Sequence, residues 1–321
     1  MSDRRILITG GTGFIGAYTA TEAIANGDSV VAFDISDDDR ILREFGIADQ
    51  VEIIEGDITE TTSVFEAVKN TGATHIIHLA AFLTNLSNRY PRKSIDINIK
   101  GANTVFEAAR VFDTQVERVV WASSSAVYAP PQKYDNPDVD EENLVYPATL
   151  YGAAKEYNEH QADLYRENYD LSLVGLRPTL VYGPYRESGS ASAYAKVIEG
   201  PARGDAVEVG PSDVVFDWQY ATDAGAAFYR ATVAPESGLS RSVYNVCGER
   251  ATLAEVADIV EAYLPDADIT FTNEEDAIWN HHMEMDAAKE DFGYDPEYGL
   301  ERGVKSHIDM IRENAGLDPV Q

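Results

Sequence analysis

The chain has 321 residues, enough to bury a large core as one domain with a smaller appended lobe, and at 44% hydrophobic content it is not a disordered polymer. Its 55 acidic residues against 25 basic ones leave a formal net charge of −30, which repels nucleic acid and anionic membranes and excludes both as partners. The acids are dispersed along the chain and lysines number 8 against 17 arginines, a balance that reads as a halophilic protein whose salt-loaded surroundings screen the self-repulsion.

Met1 to Arg5 runs into the first strand without a hydrophobic leader, and no apolar run approaches the length of a membrane span, so a cytoplasmic location is expected. Ile6, Leu7 and Ile8 are the apolar run of a strand buried on both faces. Glycines follow at 10, 11, 13 and 16, where the absence of a Cβ permits a tight turn, the approach of a pyrophosphate and close helix packing. A helix over Phe14 to Asn26 would aim its free N–H groups at those phosphates. Ser29 to Phe33 is a second strand ending at Asp34, an acid placed to accept hydrogen bonds from the adenosine ribose hydroxyls. A lone glycine pattern is weak, but this one lies between a strand and a helix, as a dinucleotide site requires.

A helix is predicted over 38–46, a third strand over Val51 to Glu55 with Gly56-Asp57-Ile58 at its end, and a helix over 59–70. Thr74 to Leu79 is a fourth strand ending in Ala80-Ala81. Ile95, Ile99, Ala102, Phe106 and Ala109 recur at spacings of four and three and predict one long helix over 93–112. Val116 to Ala122 is a fifth strand, Ser123-Ser124-Ser125 stands at its end, and 129–147 reads as a loop. Leu150 to Tyr169 is helical, and Leu171 to Leu176 is a sixth strand stopped by Arg177-Pro178. Such alternation requires a doubly wound parallel sheet whose ligands sit beyond the carboxyl ends of its strands.

The alternation weakens after residue 177. Strand pieces near 206–209, 214–218 and 243–247 mix with helices near 190–203, 222–234, 252–264 and 299–314. Residues 1–177 are therefore read as a dinucleotide-binding Rossmann domain, with a returning strand near 243–247, and 178–321 mainly as a smaller α/β substrate lobe. Cys247, the only cysteine, is expected to be a small core residue rather than a reactive thiol. His281-His282 with Glu284 is not expected to bind metal, because adjacent side chains point apart, and Trp218 and Trp279 are read as core or pocket lining.

Tyr151 and Lys155 stand one helical turn apart on the same face, and Ser124 is brought to the same rim by the fifth strand. A nearby ammonium and a positive nicotinamide ring would favour the phenolate of Tyr151, which could then take a hydroxyl proton while the carbon's hydride leaves.

Thr9 to Gly16, Asp34, Gly56-Asp57-Ile58, His78-Leu79-Ala80-Ala81, Asn98, Ser123 to Tyr128, Tyr151 to Lys155, Leu176-Arg177-Pro178, Val181 to Pro184, Asp217 to Asp223 and Tyr244 to Val246 together resemble the extended short-chain dehydrogenase/reductase superfamily, in its NAD-dependent epimerase/dehydratase family. The resemblance runs almost end to end. It implies a seven-stranded Rossmann sheet, bound NAD(P) and a substrate pocket under the C-terminal lobe. It selects Ser124 over Ser123 and Ser125 as the catalytic hydroxyl. It also implies cofactor contacts from Gly10, Gly11, Gly13, Phe14, Ile15, Gly16, Asp34, Asp57, Ile58, Leu79, Ala80, Ala81, Asn98, Tyr151, Lys155 and Pro178. NAD is expected over NADP, because Asp34 and the acids at 37–39 would repel a 2′-phosphate and only Arg40 stands nearby to offset them. A homodimer through the helices near 93–112 and 150–169 is implied as well.

Departures from the family pattern narrow the substrate. Ser125 and Ala126 replace the Asp-Glu pair of the sugar 4,6-dehydratases, which argues against water elimination. Leu180 and Phe216 stand where nucleotide-sugar epimerases resemble one another in carrying Asn and Arg, and no arginine occurs between Arg250 and Arg302. Ser125, Leu180 and Phe216 are thus the candidate substrate-facing residues. The expectation is a dehydrogenase of a neutral free sugar or polyol, the alternative being an NAD-retaining nucleotide-sugar epimerase similar to UDP-glucose 4-epimerases. A redox-sensing NAD-binding regulator is less consistent with an intact Ser124, Tyr151 and Lys155.

Overall fold

A computed structural model describes residues 4–136, 138–187, 189, 192–273 and 282–320. Seven parallel strands form the main sheet: β1 (Arg5–Thr9), β2 (Ser29–Asp34), β3 (Val51–Glu55), β4 (His75–His78), β5 (Arg118–Ala122), β6 (Leu173–Pro178) and β7 (Val243–Val246). Their spatial order is β3-β2-β1-β4-β5-β6-β7. The chain direction across the sheet reverses between β1 and β4, the switch point beyond which ligands of such sheets bind.

Helices cover both faces, which is why the strands are apolar without alternation. Ile6, Leu7 and Ile8 are at most 1% exposed, and burying each contributes about 1.5–3 kcal/mol. Helix α1 (Phe14–Ala25) and the helix Ala221–Val233 lie on one face. They approach so closely that a Cβ on Gly225 would stand 2.7 Å from the Tyr18 carbonyl carbon. Helices Thr61–Thr71, Ala102–Val111 and Leu150–Tyr169 contribute Val64, Phe106 and Ala162 to the other face.

A second core belongs to the C-terminal part. Strand Val215–Tyr220 pairs in parallel with Leu180–Tyr182 and antiparallel with Glu249–Thr252. Helices Ser192–Arg203, Leu253–Tyr263 and Leu300–Asn314 pack over this small sheet. The Leu253–Tyr263 helix starts at a capping box in which Thr252 and Glu255 satisfy each other's backbone N–H. Cys247 is buried, its thiol pushed up by burial and donating to the Met283 carbonyl at 3.1 Å.

The helix predicted over 93–112 is broken. Pro91–Ser94 is α-helical, Ile95–Gly101 is a π-helical turn, and Ala102–Val111 resumes the α-helix. The wider turn rotates the apolar stripe, so Phe106 and Ala109 are buried while Ile95 is 50% exposed. The π turn also carries Asn98 inward, where its amide serves the active rim.

Candidate active site

The glycine turn closes tightly on the switch point. Gly10 has φ +72°, and a Cβ there would lie 2.9 Å from the Ala80 nitrogen beyond β4. At Gly16 a Cβ would meet the Gly10 carbonyl oxygen at 2.2 Å, so the helix could not approach the strand. Helix α1 begins at Gly13 with no side-chain cap and no acid in its first turn, in a chain with 55 acids. Its leading amides are left to an anionic group, as a bound pyrophosphate requires. Asp34 stands alongside, Oδ2 accepting from the Thr12 amide at 3.2 Å and hydroxyl at 2.9 Å, and Oδ1 from the Ile35 amide at 2.8 Å. A dinucleotide therefore fits the cradle: α1 would meet its diphosphate and Asp34 its ribose.

Arg40 is held by Glu187 at 2.7 Å, so the one cation that could favour a 2′-phosphate is already engaged. Asp34→Ala is expected to weaken NAD binding about tenfold, the ~1.5 kcal/mol of a hydrogen bond to a charged group, and to narrow the preference over NADP. Titrating both cofactors against wild type and variant checks this, and a wild-type preference for NADP would overturn it.

Further along the rim, Asp57 Oδ1 accepts from the amide and hydroxyl of Thr59 at 2.8 and 2.7 Å. Ile58 packs against Gly101, and Leu79, Ala80 and Ala81 continue β4 into the cleft. Asn98 is 1% exposed. Its amide accepts from the Phe82 N–H at 2.7 Å and donates to the Phe82 carbonyl at 2.8 Å, while its own carbonyl accepts from Asn158 at 2.8 Å. Asn98 thus ties the segment after Ala81 to the Leu150–Tyr169 helix. Pro178 ends β6, buried and paired with Val246 of β7.

Tyr151 and Lys155 lie in the first turns of the Leu150–Tyr169 helix, which Thr149 caps by accepting from the Gly152 amide at 3.0 Å. Gly152 is required here, because a Cβ would reach 2.1 Å from the Ala126 carbonyl oxygen in the segment that carries Ser124. Burial pushes the Tyr151 phenol up, while a hydrogen bond with Ser124 and the charge of Arg186 pull it back. Lys155 is 2% exposed, donates to the Ala122 carbonyl at 2.6 Å and sits 5.4 Å from the centre of the Tyr151 ring. Burial lowers its ammonium to about 8, opposed by Glu159. His78 donates to or accepts from Thr9 at 2.7 Å and is held neutral, pulled down to about 3 by burial and by Lys155.

The three serines divide the work. Ser124 turns to Tyr151, and its oxygen also accepts from the Ala126 amide at 3.1 Å. Ser123 turns away and donates to Glu159 at 2.5 Å, while Ser125 begins a short 3₁₀ turn. Behind them Arg177 grips both oxygens of Glu159, at 2.8 and 2.7 Å, and donates to the Tyr128 hydroxyl at 2.7 Å. Tyr128 in turn donates to Asn245 of β7 at 2.8 Å. Ser123, Tyr128, Arg177 and Asn245 belong to the family motifs, but Glu159 does not, and no sequence pattern joins the five into one buried network under the rim.

Not every candidate joins the cleft. Leu180 and Phe216 are 6% and 5% exposed and belong to the second core, where the Phe216 ring lies tilted 4.5 Å from Tyr194 and edge-to-face 5.8 Å from Trp218. Trp218 is buried with its indole N–H on the Ala251 carbonyl at 3.1 Å, and His282 lies 3.3 Å from Asp217. Trp279 and His281 lie outside the described residues. Arg186, one of three arginines that the sequence leaves free to reach the pocket by another route, with Arg203 and Arg241, carries a charge that lowers the Tyr151 phenol.

A Rossmann rim that joins an uncapped glycine turn to a serine, a tyrosine and a buried lysine defines the class: a dinucleotide-dependent oxidoreductase of the extended short-chain type. The NAD dependent epimerase/dehydratase family matches residues 6–247, and the chain belongs to that family. It is 28% identical to UDP-glucuronate 4-epimerase 6 of Arabidopsis thaliana over 98% of this chain and 73% of that protein. The NAD complex of Thermus thermophilus UDP-glucose 4-epimerase has a TM-score of 0.81 at 25% identity, covering 96% of this chain and 99% of that one. The L-threonine 3-dehydrogenase of Trypanosoma brucei shares the fold, with a TM-score of 0.85 at 20% identity over 99% of each chain. The chain is an NAD-dependent enzyme. No helix among the described residues is long and apolar enough to cross a membrane.

Proposed function

We propose that the chain oxidises a hydroxyl-bearing carbon of a small sugar-like substrate by a Ser124–Tyr151–Lys155 mechanism and releases the product as a dehydrogenase does. The carrying observation is that Lys155 Nζ lies 5.4 Å from the centre of the Tyr151 ring, on the rim that also bears Ser124 and the glycine turn. Bound NAD supplies the hydride acceptor. Ser124 donates to the substrate oxygen and holds it in line. Tyr151, as phenolate, takes the hydroxyl proton, and Lys155 beside its ring favours the ionised form. The lack of a hydrogen-bonding side chain at Leu180 and Phe216, where nucleotide-sugar epimerases carry Asn and Arg, supports a substrate without a nucleotide diphosphate. A screen of NAD reduction across free sugars and nucleotide sugars tests the reading: free compounds should reduce NAD in stoichiometric amounts.

The second reading is a nucleotide-sugar 4-epimerase, favoured by the named activity of the Arabidopsis thaliana relatives. It requires NAD to survive purification bound to the protein and a UDP-sugar to be inverted without net NADH. Either result with free sugars inert would displace the dehydrogenase.

We also propose a homodimer through the 93–112 and 150–169 segments, and a need for salt. Ile95, Val111, Leu150, Tyr157, Leu164 and Tyr169 all lie there and are 46–56% exposed, an apolar patch that a second copy would cover. Light scattering should give twice the 35.2 kDa chain mass. The melting temperature should rise between ~0.01 M and ~1 M salt as the Debye length falls from ~30 to ~3 Å. A monomer mass, or a flat melt, would refute the respective claim.

A further inference from the structure

Tyr151, Lys155 and Glu159 stand four residues apart on the Leu150–Tyr169 helix and form one stripe along it. Two hydrogen bonds join that stripe to successive residues at the end of β5. Lys155 Nζ donates to the Ala122 carbonyl at 2.6 Å, and Ser123 Oγ donates to Glu159 Oε1 at 2.5 Å. Two contacts one helical turn apart hold the strand end against both sliding and rotation, which a single contact cannot do. The backbone at Ser124 is extended, with φ −169° and ψ 151°, so neighbouring side chains there point to opposite sides. With the Ser123 hydroxyl held inside, at 0% exposure, the Ser124 hydroxyl has to face the other way, out to the rim.

The acceptor is itself fixed. Arg177 of β6 donates from Nε to Glu159 Oε1 at 2.8 Å and from Nη2 to Oε2 at 2.7 Å, a two-pronged grip that sets the plane of the carboxylate. Stability alone is a poor reason for this arrangement, because well-packed apolar side chains in place of a buried ion pair are often neutral or stabilising. What the pair adds is direction, delivered to the two residues that flank the reacting groups. We infer that Ser123 and Glu159 are positioning residues for the reaction, a clamp that holds the end of β5 on the catalytic helix so that Ser124 and Tyr151 reach the same substrate oxygen. Ser123 acts through Ser124, its neighbour in the chain. Glu159 acts through Ser123 and, by its charge one turn away, through the Lys155 ammonium. The inference rests on the Ser124–Tyr151–Lys155 reading of the chemistry.

The test measures NAD reduction with D-galactose, D-glucose, D-xylose and L-threonine, and conversion of UDP-glucose to UDP-galactose. Ser123→Ala should lower kcat about tenfold on whichever of these is turned over, while KM and NAD affinity stay within about twofold, as misplacement of bound reacting groups requires. The double variant Glu159→Leu with Arg177→Met removes the acceptor and both buried charges. It should recover much of the melting temperature that Glu159→Ala loses, yet its kcat should stay at least about tenfold below wild type. The inference is overturned if Ser123→Ala keeps kcat within twofold, or if its loss appears in KM instead. It is also overturned if kcat returns together with the melting temperature in the double variant, since the pair would then serve the fold alone. Tyr151→Phe keeps the two possible failures apart. If that variant stays active, the reading of the chemistry falls; if it is inactive while Ser123→Ala is unimpaired, only the clamp falls. If wild type turns over none of these compounds, the inference falls with the reading on which it rests.

Discussion

Tyr151→Phe is expected to lower kcat/KM for NAD-dependent oxidation about 10³-fold, within the range by which a positioned general base accelerates proton transfer. The substitution keeps the ring that lies 5.4 Å from Lys155 Nζ and removes only the oxygen. Stability and NAD affinity should therefore stay close to wild type, and the loss should appear in the chemical step. The pH profile makes the test specific. Burial raises the phenol, so the proton-accepting form becomes scarcer as pH falls and wild-type activity climbs through the alkaline range. Without the phenol the residual rate should lose that climb. A variant that kept a tenth of wild-type activity, or kept the alkaline limb, would show that another group takes the proton.

Glu159→Ala should cost about 3–5 kcal/mol of stability, because it leaves a charged guanidinium buried and unpaired. Arg177 and Glu159 are 5% and 7% exposed, and Ser123 and Tyr128 share the same network. Thermal unfolding reads the effect as a fall in melting temperature of roughly ten degrees, at ~2–4 °C per kcal/mol for a larger domain. The double replacement Glu159→Leu with Arg177→Met removes both charges together and should recover much of the loss. If the single and double variants melted together, the pair would not be the source of the stability. Activity should also fall in the single variant, since Glu159 is the charge that opposes the lowering of Lys155.

Much of the Rossmann half could be read from residues, because each element there announces itself locally. Ile6 to Ile8, the glycines and Asp34 form an uninterrupted strand, turn, helix and strand, and the observed bounds of β2 and β3 follow the apolar runs. Ser124, Tyr151 and Lys155 were legible as candidates through spacing and placement at strand ends. The π turn over Ile95–Gly101 was hidden, because its apolar residues still recur at spacings of three and four. Strand Leu180–Tyr182 has only three residues, too few for a period. Leu180 and Phe216 could be assigned from family positions, but their burial among Tyr194 and Trp218 depends on a lobe whose packing no local pattern declares.

The return of the helix Ala221–Val233 and strand β7 to the first layer limits how such an enzyme can change. A protein cut after residue 177 would expose the outer edge of β6 and bare the face of α1 that meets Gly225 and its helix. The recognition half is thus not a cassette that can be exchanged or expressed alone. New substrate preference has to arrive by point replacements and loop changes inside an interleaved chain.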